Sequence, residues 1–136
     1  ADRMHLLQNS IMPALEEKEV ILQNRSFVSS YAYQSADGVP LEFLLEINKL
    51  FPAPDLALIL LCTPKVSCAR TEKREIEAGR KRSELEKSLE YTKKVKESYE
   101  KIVQYVPNSV IIDANKSQGD VFKNIVSYID RLLTSP

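Results

Sequence analysis

The run LALILLC, Leu56 to Cys62, is apolar at every position. Side chains on a strand alternate between its two faces, so an unbroken apolar run leaves no side for water. It predicts a strand buried between helices on both faces, the habit of parallel sheets. The remainder of the chain then has to supply those helices.

Helix and strand patterns do take turns along it. Residues 2–17 place Met4, Leu7, Ile11 and Leu15 at helical spacing, and after the charged break EEK the run EVIL, Glu19 to Leu22, predicts a short strand. SFVSSYAYQ predicts a short helix capped by Ser26, SADGVP a turn, and LEFLLEINKLF, Leu41 to Phe51, an amphipathic helix ended by Pro52 and Pro54. A long charged segment, Lys65 to Gln104, carries an apolar stripe of Ala69, Ile76, Leu85, Leu89, Val95 and Ile102. Gly79 and the dense charge of EKREIEAGRKRSELEK predict a break there between two helices. SVIID, Ser109 to Asp113, predicts the last strand, and a final helix turns Val121, Ile125, Tyr128, Ile129 and Leu132 inward.

The alternation predicts an α/β fold: three parallel strands, right-handed crossovers and helices on both faces. With 136 residues, positions 1–136 are expected to form one domain at most. Lys and Arg number 19, as do Asp and Glu, so the formal charge is zero and nothing in the balance calls for a nucleic acid or a membrane surface. The absence of a long apolar run or a signal-peptide core predicts a cytoplasmic chain. Cys62 and Cys68, with His5 the one histidine, match neither a zinc site nor a redox pair; buried reduced thiols are expected, and no metal ligands.

In parallel sheets ligands sit beyond the C-terminal strand ends, here Asn24-Arg25, Thr63-Pro64 and Asp113-Ala114. An arginine at such an end can fork onto phosphate oxygens through parallel N–H donors, which a lysine cannot reproduce. Taken alone, Arg25 reads first as a surface cation, and SSYAY as a half-buried helix start.

The ADR that opens the first helix, the PAL that closes it, NRSFVSSYAYQ, PDLALILL, CAR and IIDAN follow one another in an order that resembles bacterial and archaeal thymidylate kinases. The resemblance covers essentially the whole chain. Its most specific piece is a strand-Asp-Arg-aromatic-x-x-Ser-x-x-Ala-Tyr-Gln run, present as Asn24, Arg25, Ser26, Ser29, Ala32, Tyr33 and Gln34. It implies a P-loop NTPase-like fold and a dTMP kinase that converts ATP and dTMP to ADP and dTDP for dTTP synthesis, with ATP as co-substrate and Mg2+. It also implies a homodimer formed through helices that include the first.

By the same resemblance Arg25 holds the acceptor phosphate and Arg3 donates to a thymine carbonyl. Ser29 and Ser30 lie along the base, while Tyr33 and Gln34 wall the sugar and exclude a 2′-hydroxyl. A charged lid spans about residues 70–88, with Arg70 and Arg74, then Arg80, Lys81 and Arg82, as its pool of cations, and Arg70 is the best match to the arginine after the strand. Cations matter there because phosphoryl transfer spreads charge over its transition state. Asp113, Ala114 and Asn115 match the turn that passes the adenine through backbone atoms, although Asp113 serves equally as a cap for that turn.

Two departures stand out. No G-x-x-x-x-G-K-[ST] motif occurs, and Gly38, Gly79 and Gly119 lie too far apart to build a phosphate loop. The family carries that loop and the first strand ahead of the point where this chain begins. Asn24 replaces the aspartate thought to organise Mg2+, and Ser26 replaces an aromatic. The expectation is therefore the C-terminal two-thirds of a longer kinase, inactive by itself. The alternative is a weak or inactive homologue that acts as a nucleotide-binding or regulatory module.

Overall fold

The structure is a computed structural model that describes residues 2–17, 20–79 and 89–134, without the side chains of residues 2 and 3. The N-terminal helical stretch runs as α1 (Asp2–Leu6), a π-helical turn (Leu7–Ile11) and α2 (Met12–Glu16). Pro13 has no N–H for the ordinary helical bond at the start of α2, and the backbone widens just before it.

α3 (Phe27–Ala36) starts where expected, with Ser26 Oγ accepting from the Val28 N–H at 3.3 Å. The Asp37-Gly38 turn ends it, with Gly38 at φ 92. α4 (Leu41–Ile47) stops short of Phe51. The buried Asn48 turns its side chain back and donates from Nδ2 to the Leu44 carbonyl at 2.8 Å, which closes the helix before the prolines are reached.

β1 (Ala57–Leu61) and β2 (Ser109–Asp113) pair in parallel, Ala57 opposite Ser109 through to Leu61 opposite Asp113. Between them run α5 (Pro64–Glu77) and α6 (Leu89–Ile102), and after β2 comes α7 (Gln118–Thr134). α5 ends at Gly79, whose φ is 62, so the expected break falls there. Arg80, Lys81 and Arg82 and most of the expected lid lie outside the described residues.

Alternation sorts the strand residues onto two layers. Ile59, flanked by Ala57 and Leu61, packs on Val28, Tyr31 and Ala32 of α3, Leu44 of α4 and Ile102 of α6. On the other face Leu58, Val110 and Ile112 meet Val121, Ile125 and Tyr128 of α7. Helices thus cover both faces, as the LALILLC pattern predicts.

Three expectations need correction. EVIL does not form a strand over its described residues 20–22, and the sheet has two strands among the described residues. A ladder needs a neighbour within hydrogen-bonding reach, and Val20 and Leu22 are instead 67% and 82% exposed on the wall of a cavity that separates them from β1. Ile76 and Leu89, expected on the inward stripe, are exposed because they sit at the helix ends next to residues 80–88, away from the sheet. Cys62 and Cys68 carry thiols, as expected, but both are only half-buried, and Cys68 Sγ lies 3.6 Å from the Thr92 hydroxyl.

Candidate functional site

A cavity of about 930 Å³ opens between the edge of β1 that faces away from β2, the N-terminal helices, the segment 20–26, α6 and the end of α7. Its apolar wall includes Leu7, Ile11, Leu58, Leu60 and Leu132. Of the expected site residues, Asn24, Arg25, Ser29, Tyr33 and Arg74 line it. The lining cations are Arg25, Arg74 and Lys96, while Asp55 is the one carboxylate among the described lining residues. Arg74 is paired with Glu75 at 3.6 Å and Lys96 with Glu100, so the positive character of this wall rests chiefly on Arg25.

Arg25 is the most constrained of these residues. Its backbone adopts φ 64, the left-handed region that a non-glycine residue enters at a cost of order 1 kcal/mol. The following cap at Ser26 starts α3, so the chain turns sharply and delivers Arg25 beside the helix it precedes. There Nη2 donates to the Tyr33 hydroxyl at 3.0 Å, and the guanidinium carbon lies 5.2 Å from the Tyr33 ring centroid. Tyr33 in turn meets Tyr99 of α6 edge-on, with centroids 6.3 Å apart and planes at 86°. The Tyr99 hydroxyl donates to Ser29 Oγ at 3.3 Å. Burial pushes the Tyr99 hydroxyl up from its ordinary pKa; Ser29 and the Arg25 charge act in the opposite direction.

Ser30 and Gln34 sit on α3 but are not among the residues that line this cavity. The side chain of Arg3 lies outside the described residues.

A second group forms at the C-terminal ends of the two strands. Asn115 Oδ1 accepts from the Thr63 N–H at 2.8 Å, which joins the turn after β2 to the start of α5. The Asn115 backbone N–H and its side-chain amide both donate to Asp113 Oδ1, at 3.0 and 2.7 Å. Those donations, the backbone one foremost, hold the Asp113 carboxyl below its ordinary pKa. Arg70 reaches the same turn, Nη1 donating to the Ala114 carbonyl at 2.6 Å and Nη2 to that of Lys116 at 3.2 Å. Arg70 is thus brought to the turn of Asp113, Ala114 and Asn115, not to the cavity beside Arg25.

The second group lies where the C-terminal ends of β1 and β2 meet helix starts, the usual ligand position of an open parallel sheet, while the first lies at the entrance of α3. The family model of thymidylate kinase matches residues 1–125. The chain belongs to the thymidylate kinase family. A probable thymidylate kinase of Thermococcus gammatolerans is 34% identical over 135 residues, 99% of this chain and 62% of that protein. One from Pyrococcus abyssi is 37% identical over 129 residues, 95% of this chain and 60% of the relative. The thymidylate kinase of Halalkalibacterium halodurans is 36% identical over 140 residues, covering 98% and 65%. The chain spans about 62% of the length of the first relatives it matches.

Membership in the thymidylate kinase family implies the P-loop NTPase fold, and the parallel two-stranded sheet between helix layers is consistent with part of it. Mg2+ is the metal expected with such a kinase. Among the described residues no group of three or more His, Cys, Asp or Glu side chains is placed to hold a metal ion. Hydroxyls, one amide and guanidinium groups around Arg25 do not fit the carboxylate and water shell that Mg2+ prefers. No helix of the described residues is long and apolar enough to cross a membrane.

The aromatic support from α6 was missed in the sequence. Tyr91, Val95 and Tyr99 recur every fourth residue, and all three line the cavity. That spacing on the helix after the charged break is the signal that could have found them.

Proposed function

We propose that the protein carrying these residues is a thymidylate kinase, transferring the γ-phosphoryl group of ATP to thymidine monophosphate. The observation that supports it best is Arg25: strained at the entrance of α3, held against Tyr33, and part of the cavity lining. A guanidinium fixed in this way suits the dianionic phosphate of a nucleoside monophosphate, because its N–H donors can pair with two oxygens at once.

In the reaction an acceptor phosphate oxygen attacks the γ-phosphorus while the bond from that phosphorus to the β–γ bridging oxygen breaks, and ADP leaves. Arg25 holds the acceptor in line, which is a positional contribution. Tyr33 packs beside the sugar, with Ser29 and Ser30, Gln34 and Arg3 along the nucleoside. Arg74, at the cavity wall, is the described lid-side cation best located to meet transferring charge. Arg70 and the Asp113-Ala114-Asn115 turn serve the adenine side. A homodimer in the cytoplasm completes the proposal.

The neutral amide of Asn24, where the family has aspartate, favours a second reading, a nucleotide-binding module with little turnover. One experiment separates the two: protein of natural length is incubated with thymidine monophosphate and ATP, and the diphosphate is quantified. Conversion well above an Arg25→Ala variant supports the kinase. Monophosphate binding by calorimetry without conversion supports the module.

A further inference from the structure

Tyr99 lies outside every residue the kinase reading uses, yet the site cluster converges on it. It belongs to α6, whereas Arg25, Ser29 and Tyr33 all belong to α3 or its entrance. It touches two of them in different ways: its ring abuts Tyr33 edge-on at 6.3 Å, and its hydroxyl donates to Ser29 at 3.3 Å. Ser29 and Tyr33 are one helical turn apart on the same face of α3, so a single side chain from the opposing helix spans the face on which Tyr33 stands.

Tyr33 is a terminal link by itself. Its hydroxyl is the acceptor for Arg25 at 3.0 Å, and its ring is the surface on which the guanidinium rests. A half-buried tyrosine whose ring is not held can swing, and the arginine bonded to it would swing as well. Tyr99 supplies an edge-on ring contact that restrains it.

We propose that Tyr99 is a positioning residue for phosphate recognition: it fixes the ring of Tyr33 and, through it, holds the guanidinium of Arg25 in the orientation that receives the monophosphate. This rests on the kinase or nucleotide-pocket reading for the identity of the ligand, while the Tyr99–Tyr33–Arg25 linkage stands on the geometry alone. Edge-to-face aromatic pairs contribute about 0.5–1.5 kcal/mol beyond area burial, which corresponds to roughly 2- to 13-fold in affinity if the pair acts through Arg25.

The test uses protein of natural length and the variants Tyr99→Leu, Tyr99→Phe and Tyr33→Leu, each checked for folding by circular dichroism. Thymidine monophosphate and thymidine are titrated by calorimetry. Tyr99→Leu should weaken monophosphate binding about 3- to 10-fold and thymidine binding by a clearly smaller factor, because thymidine loses only the Tyr33 sugar contact while the monophosphate also loses the positioned arginine. Tyr99→Phe, which keeps the ring edge and loses only the hydroxyl, should restore most of that affinity. In a Tyr33→Leu background, Tyr99→Leu should cause no further loss. Equal weakening of both ligands, or additive effects in the double variant, overturns the proposal and makes Tyr99 a packing residue.

A ligand-free readout keeps the linkage separate from the kinase reading. The Nε–H resonance of Arg25 should shift in Tyr99→Leu through the changed ring current of Tyr33, and shift far less in Tyr99→Phe. If wild-type protein binds neither ligand, the nucleotide reading fails, and this resonance alone decides the linkage: displaced, it stands; unmoved, it falls.

Discussion

Arg70, on the helix after β1, donates to the carbonyl oxygen of Ala114, just past β2, at 2.6 Å across 44 residues of chain. A second donation to Lys116 at 3.2 Å makes the side chain a brace between two strand ends. A brace and a phosphate-neutralising cation differ in what their loss disturbs. Arg70→Ala is expected to lower unfolding stability by about 1 kcal/mol, since two charge-assisted bonds at a part-exposed site are lost. Thermal unfolding checks this, and steady-state kinetics should show a raised KM for ATP with turnover changed less than about 10-fold. A drop in turnover by about 100-fold or more, with stability unchanged, would return Arg70 to the transferring phosphate.

Arg25 carries the opposite balance. Its φ of 64 is strained for any side chain, whereas glycine occupies that region freely. Arg25→Gly is expected to leave stability unchanged or raise it by up to about 1 kcal/mol while removing monophosphate binding. Arg25→Lys should retain charge and lose the fork, weakening the monophosphate by about 10-fold or more. Denaturant unfolding paired with calorimetry reads both quantities. A loss of more than about 2 kcal/mol in Arg25→Gly would mean that the Tyr33 contact holds the fold together.

Asp113 gives an acid-side signature. Its carboxyl is held below the ordinary aspartate pKa of about 3.9 by donations from Asn115. A depressed folded-state pKa stabilises the fold fully above the unfolded value, and this advantage is lost as pH falls from there through the folded value. The stability of wild type relative to Asp113→Asn should therefore be flat from neutral pH down to about 5 and decline below about 4. Chemical denaturation at a series of pH values checks it; a difference that stays constant down to about pH 2 would contradict it.

Tyr91 gives a signature on the alkaline side. Burial first, and then the Asp37 carboxylate that accepts from its hydroxyl, push its pKa up to about 12. A raised folded-state pKa contributes stability that is present below the ordinary tyrosine value of about 10 and is lost as pH rises through the folded value. Ultraviolet titration of tyrosinate should show a late-ionising group of tyrosines that includes Tyr91, and Asp37→Asn should move one of them part of the way back toward about 10. A titration in which Asp37→Asn changes nothing would remove the carboxylate from the account.

Much of this architecture is legible in the order of the residues. LALILLC could only be a strand covered on both faces, Ser26 could satisfy the first free N–H groups of α3, and Gly79 marked the end of α5; each depends on residues adjacent in sequence. The motif order, with Arg25 at its most specific point, carried the family as well. These features are local, so the sequence alone determines them.

Distant pairings were settled only by the tertiary structure. EVIL has the composition of a strand, but a strand exists only where a neighbour completes its ladder, and among the described residues none pairs with residues 20–22. Arg70 has the character of a cation for phosphate, yet its guanidinium reaches Ala114 and Lys116. Tyr99 lies 66 residues beyond Tyr33 in the chain and comes to the site only because α6 packs along α3. Sequence determines which groups can donate, accept or stack; packing decides which of them come within the few ångströms where those interactions have any strength.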